Sequence, residues 1–124
     1  LYKSIKKNKK ILGICLGFQI ILYSEKAKIV PKKIIQHGYK SIVKVNNLSL
    51  IFKNNTSFSV GNYNSLKLLE PFKSEEINIT MRDMKNNTAM ALENINKNIF
   101  GFQFHPDSFL TKKGKFLVQK IIFT

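Results

Sequence analysis

Apolar residues fall in short runs along this chain, and the spacing of those runs predicts the order of its elements. Residues 10–15, KILGIC, form an apolar run with the length of a buried parallel strand. Residues 17–23 then read as a helix, with Glu25 and Lys26 near its end. A strand, a tight glycine-containing turn and a helix make a βα unit. Residues 28–30 are a short extended piece closed by Pro31. Residues 41–45 and 48–53 read as two strands joined by a turn at Asn46-Asn47, and residues 58–60 as another, ended by Gly61-Asn62. Residues 77–81 alternate apolar and polar, as a half-buried strand does. A turn over 83–87 leads into residues 89–92, which are expected to pair with the strand before them. Residues 99–104 make a strand rich in aromatics. The last segment, residues 110–123, is predicted helical, with Leu110, Leu117 and Ile121 on one face and Lys113 and Lys120 beyond its edges. Gly114 costs that helix about 1 kcal/mol against alanine. Ahead of the first strand, residues 1–10 read as an amphipathic helix ending at Lys9 or Lys10. No internal repeat is visible. The mix is α/β, with antiparallel strands in the middle.

Composition narrows the picture. A chain of 124 residues with 44% apolar residues suits one domain around one core. No run approaches the ~18 consecutive apolar residues of a membrane span. The basic N-terminus leads into a run broken by Gly13, Cys15 and Gly17, without the long apolar region and cleavage site of a signal peptide. One cysteine cannot form an internal disulfide, which fits a reducing compartment. The cytoplasm is the expected location, or an organelle stroma if the gene is organellar. The formal charge of +14 invites a nucleic-acid partner. The lysines are scattered instead of grouped, however, and no RNA-binding sheet, zinc-finger or basic-zipper pattern occurs. Lys, Asn, Ile and Phe are abundant while Arg occurs once, as Arg82. Those four residues have A/T-rich codons, so genome bias accounts for the charge. Neither nucleic acid nor membrane is expected as a partner. The chain opens on Leu1 instead of Met, within what reads as a helix, which suggests a fragment or an absent upstream part.

Two residues stand where chemistry is done. Cys15, in Gly13-Ile14-Cys15-Leu16-Gly17-Phe18-Gln19, falls where the strand ends and the helix begins. A sharp strand-to-helix turn projects such a side chain outward, as in a nucleophile elbow. The helix N-terminus offers unpaired N–H groups and partial positive charge, which favour a thiolate and can hold an oxyanion. A lone cysteine is more often a core residue; the two flanking glycines favour the nucleophile here. His105, in Phe102-Gln103-Phe104-His105-Pro106-Asp107-Ser108, follows an apolar strand, where a parallel sheet presents its active site. Pro106 stops the strand, and Asp107 is placed to orient the imidazole as the third member of a nucleophile–base–orienter set. A surface histidine in a loop is the plainer alternative. Cys15 and His105, near opposite ends of the chain, are expected to meet in space.

The segment ILGICLGFQ (Ile11 to Gln19) resembles the nucleophile motif of class I glutamine amidotransferases, and FQFHPDS (Phe102 to Ser108) resembles their His-Pro-Glu motif. Both occur in the family's order. HGYKS (His37 to Ser41) resembles a His-Gly segment ending in a glutamine-contacting serine, and NYNSL (Asn62 to Leu66) resembles Tyr-His-Ser-Leu. FLTKKGKFLVQKII (Phe109 to Ile122) is similar to the last helix of the glutaminase subunits of anthranilate synthase and aminodeoxychorismate synthase. The resemblance runs from Lys10 to near the end of the chain. It implies a three-layer α/β/α, flavodoxin-like fold with a mainly parallel sheet. Residues 1–124 would then be a single domain, the C-terminal part of the family domain.

The resemblance also implies roles. Cys15 would attack the side-chain amide of L-glutamine, His105 would shuttle protons, and Asp107 would stand in for the family's glutamate. Leu16 would give a backbone N–H to the oxyanion, and Gln19, Ser41 and Ile42 would hold the substrate. The ammonia would pass to a synthase subunit acting on chorismate, for anthranilate or for 4-amino-4-deoxychorismate. No metal or organic cofactor is implied. His37, Tyr63 and Ser65 are expected to be scaffold or interface residues. The chain departs from the family pattern at Phe18 and Asn64, where the family has histidines, and at Asp107. The family's upstream half, with its Gly-Pro-rich oxyanion loop, is expected to precede these residues in a longer chain or to be absent. A subunit that docks on the synthase without doing chemistry is the rival that an absent upstream half and Asp107 favour and that the intact Gly-x-Cys-x-Gly motif opposes.

Overall fold

The computed structural model describes residues 9–33, 38–63 and 65–124. The helix read at the N-terminus lies outside these residues except for Lys9 and Lys10, and His37 and Asn64 lie outside them too. The elements are β1 (Ile11–Ile14), α1 (Leu16–Ser24), β2 (Ile29–Pro31), β3 (Tyr39–Val45), β4 (Ser57–Asn62), β5 (Leu66–Leu68), β6 (Asn78–Asp83), β7 (Ala89–Asn94), β8 (Ile99–Phe102) and α2 (Gly114–Ile122). Six strands form one sheet in the order β1-β8-β7-β6-β3-β4, and β2 and β5 form a two-stranded ribbon beside it.

The fold is α/β in three layers, as expected. The strand β8 shows how the layers arise. Ile99 faces a core cluster with Phe18, Ile21 and Leu22 of α1, while Phe100 and Phe102 face the opposite cluster with Leu117 and Ile121 of α2. Alternate side chains of a strand point to opposite faces, so both faces need a helix over them. Lys10 links the layers: its ammonium donates to the carbonyls of Ile121, Ile122 and Thr124 at 2.9, 3.1 and 2.8 Å. A cation there satisfies the end of α2 and opposes its dipole.

The sheet is mixed, which corrects the expectation of a mainly parallel one. Among the described strands β1 and β8 are the parallel pair, and the other four pairings in this sheet are antiparallel. Short connections dictate this. Between β6 and β7 the Asp83 carboxylate accepts from the N–H groups of Lys85 and Asn86, and Asn87 takes a positive φ of 62°. A turn this tight can join only antiparallel strands. The sheet curls far enough for Gly61, at the end of β4, to bridge His105 beyond β8.

Three further expectations change. The strand read over 48–53 is a series of turns. Asn46 accepts from Leu48 N–H, Ser49 accepts from Ile51 and Phe52, and the buried Glu93 carboxylate takes Ser49 Oγ and Leu50 N–H. Side chains thus replace a ladder as partners for that backbone. The last helix begins at Gly114 instead of Leu110, because Ser108 and Thr111 hold the intervening turns. A Cβ on Gly114 would lie 1.7 Å from the Pro106 carbonyl oxygen, so the glycine permits the helix to start against that loop. The ribbon strand β5 was not foreseen; three residues carry too little periodicity to announce it. Elsewhere α1 is as predicted, and Lys26, with φ 66°, ends it while Lys26 and Ala27 N–H bond back to Tyr23 and Leu22. Among the described residues no helix is long and apolar enough to cross a membrane.

Candidate active site

Cys15 sits between β1 and α1 with φ 55° and ψ −101°. A residue with a Cβ pays roughly 1–3 kcal/mol for such a backbone, and the surroundings must hold it there. They do. The Cys15 N–H bonds Phe102 carbonyl at 2.8 Å, and the Cys15 carbonyl accepts from Gln19 N–H at 3.1 Å. The two flanking glycines have different reasons. A Cβ on Gly13 would come within 2.7 Å of Gly17 backbone and Ile21 Cδ1, so the strand could not pass under the helix. A Cβ on Gly17 would meet nothing within 4 Å. Gly17 therefore leaves open space beside the nucleophile instead of easing the turn. Phe18 is fully buried in the core under α1.

The sulfur is half sheltered. Gln103 Nε2 donates to Cys15 Sγ at 3.7 Å, and Gln103 Oε1 accepts from Gln19 Nε2 at 3.2 Å. Burial pushes the Cys15 thiol above its ordinary value; the Leu16 backbone N–H, the charge of Lys32 and the Gln103 hydrogen bond pull it back without reversing the shift. The helix terminus alone therefore does not make a thiolate, and a base has to take the proton.

His105 follows β8 at the same edge of the sheet. Ile14 and Phe102 are partners in the parallel ladder, so Cys15 and the His105 loop leave adjacent strands side by side. The histidine is held mainly through its backbone. Its N–H bonds Gly61 carbonyl at 3.0 Å, and its carbonyl accepts from Thr111 Oγ1 at 2.6 Å. The same Thr111 hydroxyl accepts from Gly61 N–H at 2.8 Å, closing a clamp. Tyr63 meets the imidazole edge to face at 5.3 Å between centroids, and its hydroxyl lies 2.7 Å from Ser108 Oγ. Asp107 Oδ1 lies 3.6 Å from His105 Nδ1, beyond hydrogen-bond range, with a carboxylate side chain 83% exposed. Among the described residues no group of three or more His, Cys, Asp or Glu could hold a metal ion.

The description "Glutamine amidotransferase class-I" matches residues 1–124. The chain belongs to the class I glutamine amidotransferases. It is 35% identical over 115 residues to anthranilate synthase component 2 of Lactococcus lactis subsp. lactis, covering 92% of this chain and 58% of that relative. The carbamoyl phosphate synthase small chain of Buchnera aphidicola is 36% identical over 106 residues, covering 84% of this chain and 25% of that one. The solved structure of PurLQS from Thermotoga maritima superposes with a TM-score of 0.75 at 21% identity, covering 98% of this chain and 64% of that one. The chain spans a little over half the length of the anthranilate synthase relatives it matches, 58% for the two with highest printed identity.

Within this amidotransferase chain the expected site residues fall on three segments. Cys15, Leu16 and Gln19 follow β1, and His105 and Asp107 lie in the loop beyond β8, the parallel neighbour of β1. Ser41 and Ile42 lie in β3, with Ser41 buried on the side of Val43 and Val45, and Ile42 half exposed on the other face. Among the described residues neither shares a hydrogen bond with Cys15, Gln19 or His105. Three residues went unnoticed in the sequence. Gln103 is a buried polar residue between two core phenylalanines, and that contrast was its signal. Thr111 gave none. Lys32 is one of 21 basic residues, and only its position near Cys15 and on Tyr39 Oη, at 3.0 Å, sets it apart.

Proposed function

We propose that this chain hydrolyses L-glutamine to glutamate and ammonia, as the glutaminase part of an anthranilate synthase. Residues 1–124 are read as part of one amidotransferase domain. The observation that carries the reading is the strained Cys15 turn beside the His105 loop across the parallel β1–β8 pair. His105 takes the Cys15 proton through Nε2, because Nδ1 faces Asp107. The thiolate attacks the side-chain amide carbon of glutamine, and the electron pair moves onto the amide oxygen. Leu16 N–H lies at the start of α1, where an oxyanion is stabilised. Collapse breaks the C–N bond, and the imidazolium proton goes to the leaving ammonia. Water, deprotonated by His105, then cleaves the thioester and restores the thiol. Gln19 is the substrate contact that the site's geometry favours; Ser41 and Ile42 are carried by the family resemblance.

Relatives named anthranilate synthase component 2 support an anthranilate synthase subunit as the ammonia acceptor; chorismate as that subunit's substrate, and 4-amino-4-deoxychorismate as the alternative product, are carried by the family resemblance. A second reading, a subunit that docks without chemistry, is favoured by the exposed Asp107 at 3.6 Å from His105. Ammonia release from glutamine separates the two, measured with and without the synthase subunit and beside Cys15→Ser. Release that vanishes in Cys15→Ser is expected. No release under either condition would leave the docking subunit.

A further inference from the structure

Gln103 is 2% exposed, set between Phe102 and Phe104 in the core. A carboxamide at that depth needs partners for both of its ends. Its oxygen takes the Gln19 amide N–H, and its nitrogen points at Cys15 Sγ. Gln19 is itself buried, one helical turn beyond Cys15 on α1. Polarity decides what this chain of bonds does. A thiol can donate or accept, but a thiolate only accepts. With the Gln19 amide N–H directed at Gln103 Oε1, turning Gln103 over would set two NH₂ groups against each other and a carbonyl oxygen against the sulfur. In this polarity the sulfur is offered an N–H, the kind of partner a thiolate requires.

We infer that Gln103 is a hydrogen-bond donor to the Cys15 thiolate, and that Gln19 is the positioning residue that fixes the direction of that donor. The inference rests on Cys15 being the nucleophile of the proposed glutaminase. It gives Gln19 a second task besides holding substrate. It also supplies the sulfur with a donor besides Leu16 N–H, in a place where burial works against ionisation.

The pH profile of iodoacetamide alkylation tests this, because the chain has one cysteine and every thioether adduct at cysteine reports Cys15. Gln103→Leu is expected to move the alkylation midpoint up by about one pH unit, the size of a lost hydrogen bond to a charged group. Gln19→Leu should move it the same way by less. That substitution leaves the atoms touching the sulfur in place, so its shift reports orientation and not a drier pocket. Far-ultraviolet circular dichroism checks that each variant is folded. A midpoint unchanged in folded Gln103→Leu overturns the inference; should that variant fail to fold, an unchanged midpoint in Gln19→Leu does so. Ammonia release is read in parallel. Shifted midpoints with no release by the unsubstituted chain would sink the glutaminase reading and keep the relay. Release with unmoved midpoints would sink the relay alone.

Discussion

The nucleophile and the base are held in opposite ways. Cys15 is fixed through its backbone and the packing beside it: bonds at both its N–H and its carbonyl hold an unfavourable conformation, and a helix is pressed onto a strand through Gly13. His105 stands in a half-exposed loop, fixed by a backbone clamp from Gly61 and Thr111 and by the edge of Tyr63. The carboxylate that should orient the imidazole contributes least, being exposed and 3.6 Å away. The difference teaches that two parts of one site can be positioned independently, one by the core and the other by a loop that crosses the sheet's curl.

The sharpest break in this comparison is Gly114→Ala. Its Cβ would collide with Pro106 carbonyl oxygen and push the histidine loop off α2. A loss of about 3 kcal/mol in urea unfolding is expected, with activity falling further than stability explains. Gly13→Ala and Gly17→Ala come next, as a pair with opposite signs. The first should destabilise by about 2 kcal/mol through its 2.7 Å contacts, and the second should stabilise by up to about 1 kcal/mol as a helix residue in open space. Equal effects would mean that the β1–α1 crossing is looser than described. Thr111→Val removes one hydroxyl that serves Gly61 and His105 together, and should cost about 2 kcal/mol by thermal or urea denaturation. Last is Asp107→Asn. An exposed ion pair is worth little, so glutamine turnover should fall by about fivefold or less. A thousandfold fall would show that Asp107 closes on His105 when substrate binds.

Much of this was legible beforehand, for physical reasons. The run before Cys15 and the aromatic run before His105 announce strands because each is short and apolar, the second being buried on two faces, and Pro106 marks where the second must stop. The turn at 83–87 is readable because Asp83 and Asn87 carry its local chemistry. What failed to show was nonlocal. Leu48, Leu50 and Phe52 alternate as a strand would, but Glu93, far along the chain, captures that backbone instead. Gly114 counted against a helix until Pro106 appeared beside it. A mainly parallel sheet is what the family resemblance implies, whereas short turns set the direction of most of the described strands. The helix N-terminus beside Cys15 suggests a thiolate, yet burial outweighs the Leu16 N–H, since exposure of the sulfur is a property of the whole packing.

The parallel pairing of β1 with β8 has a consequence for how the protein comes into being. Cys15 and Gln103 are 88 residues apart in sequence. Contacts that distant close late, because a long loop must lose its freedom before they return any energy. On a ribosome Cys15 emerges before Gln103, which follows it by 88 residues. Throughout that interval the Cys15 thiol lacks the Gln103 amide. A nascent chain stalled before residue 99 carries Cys15 with its Leu16 N–H but without Gln103 and His105, the amide donor and the proposed base.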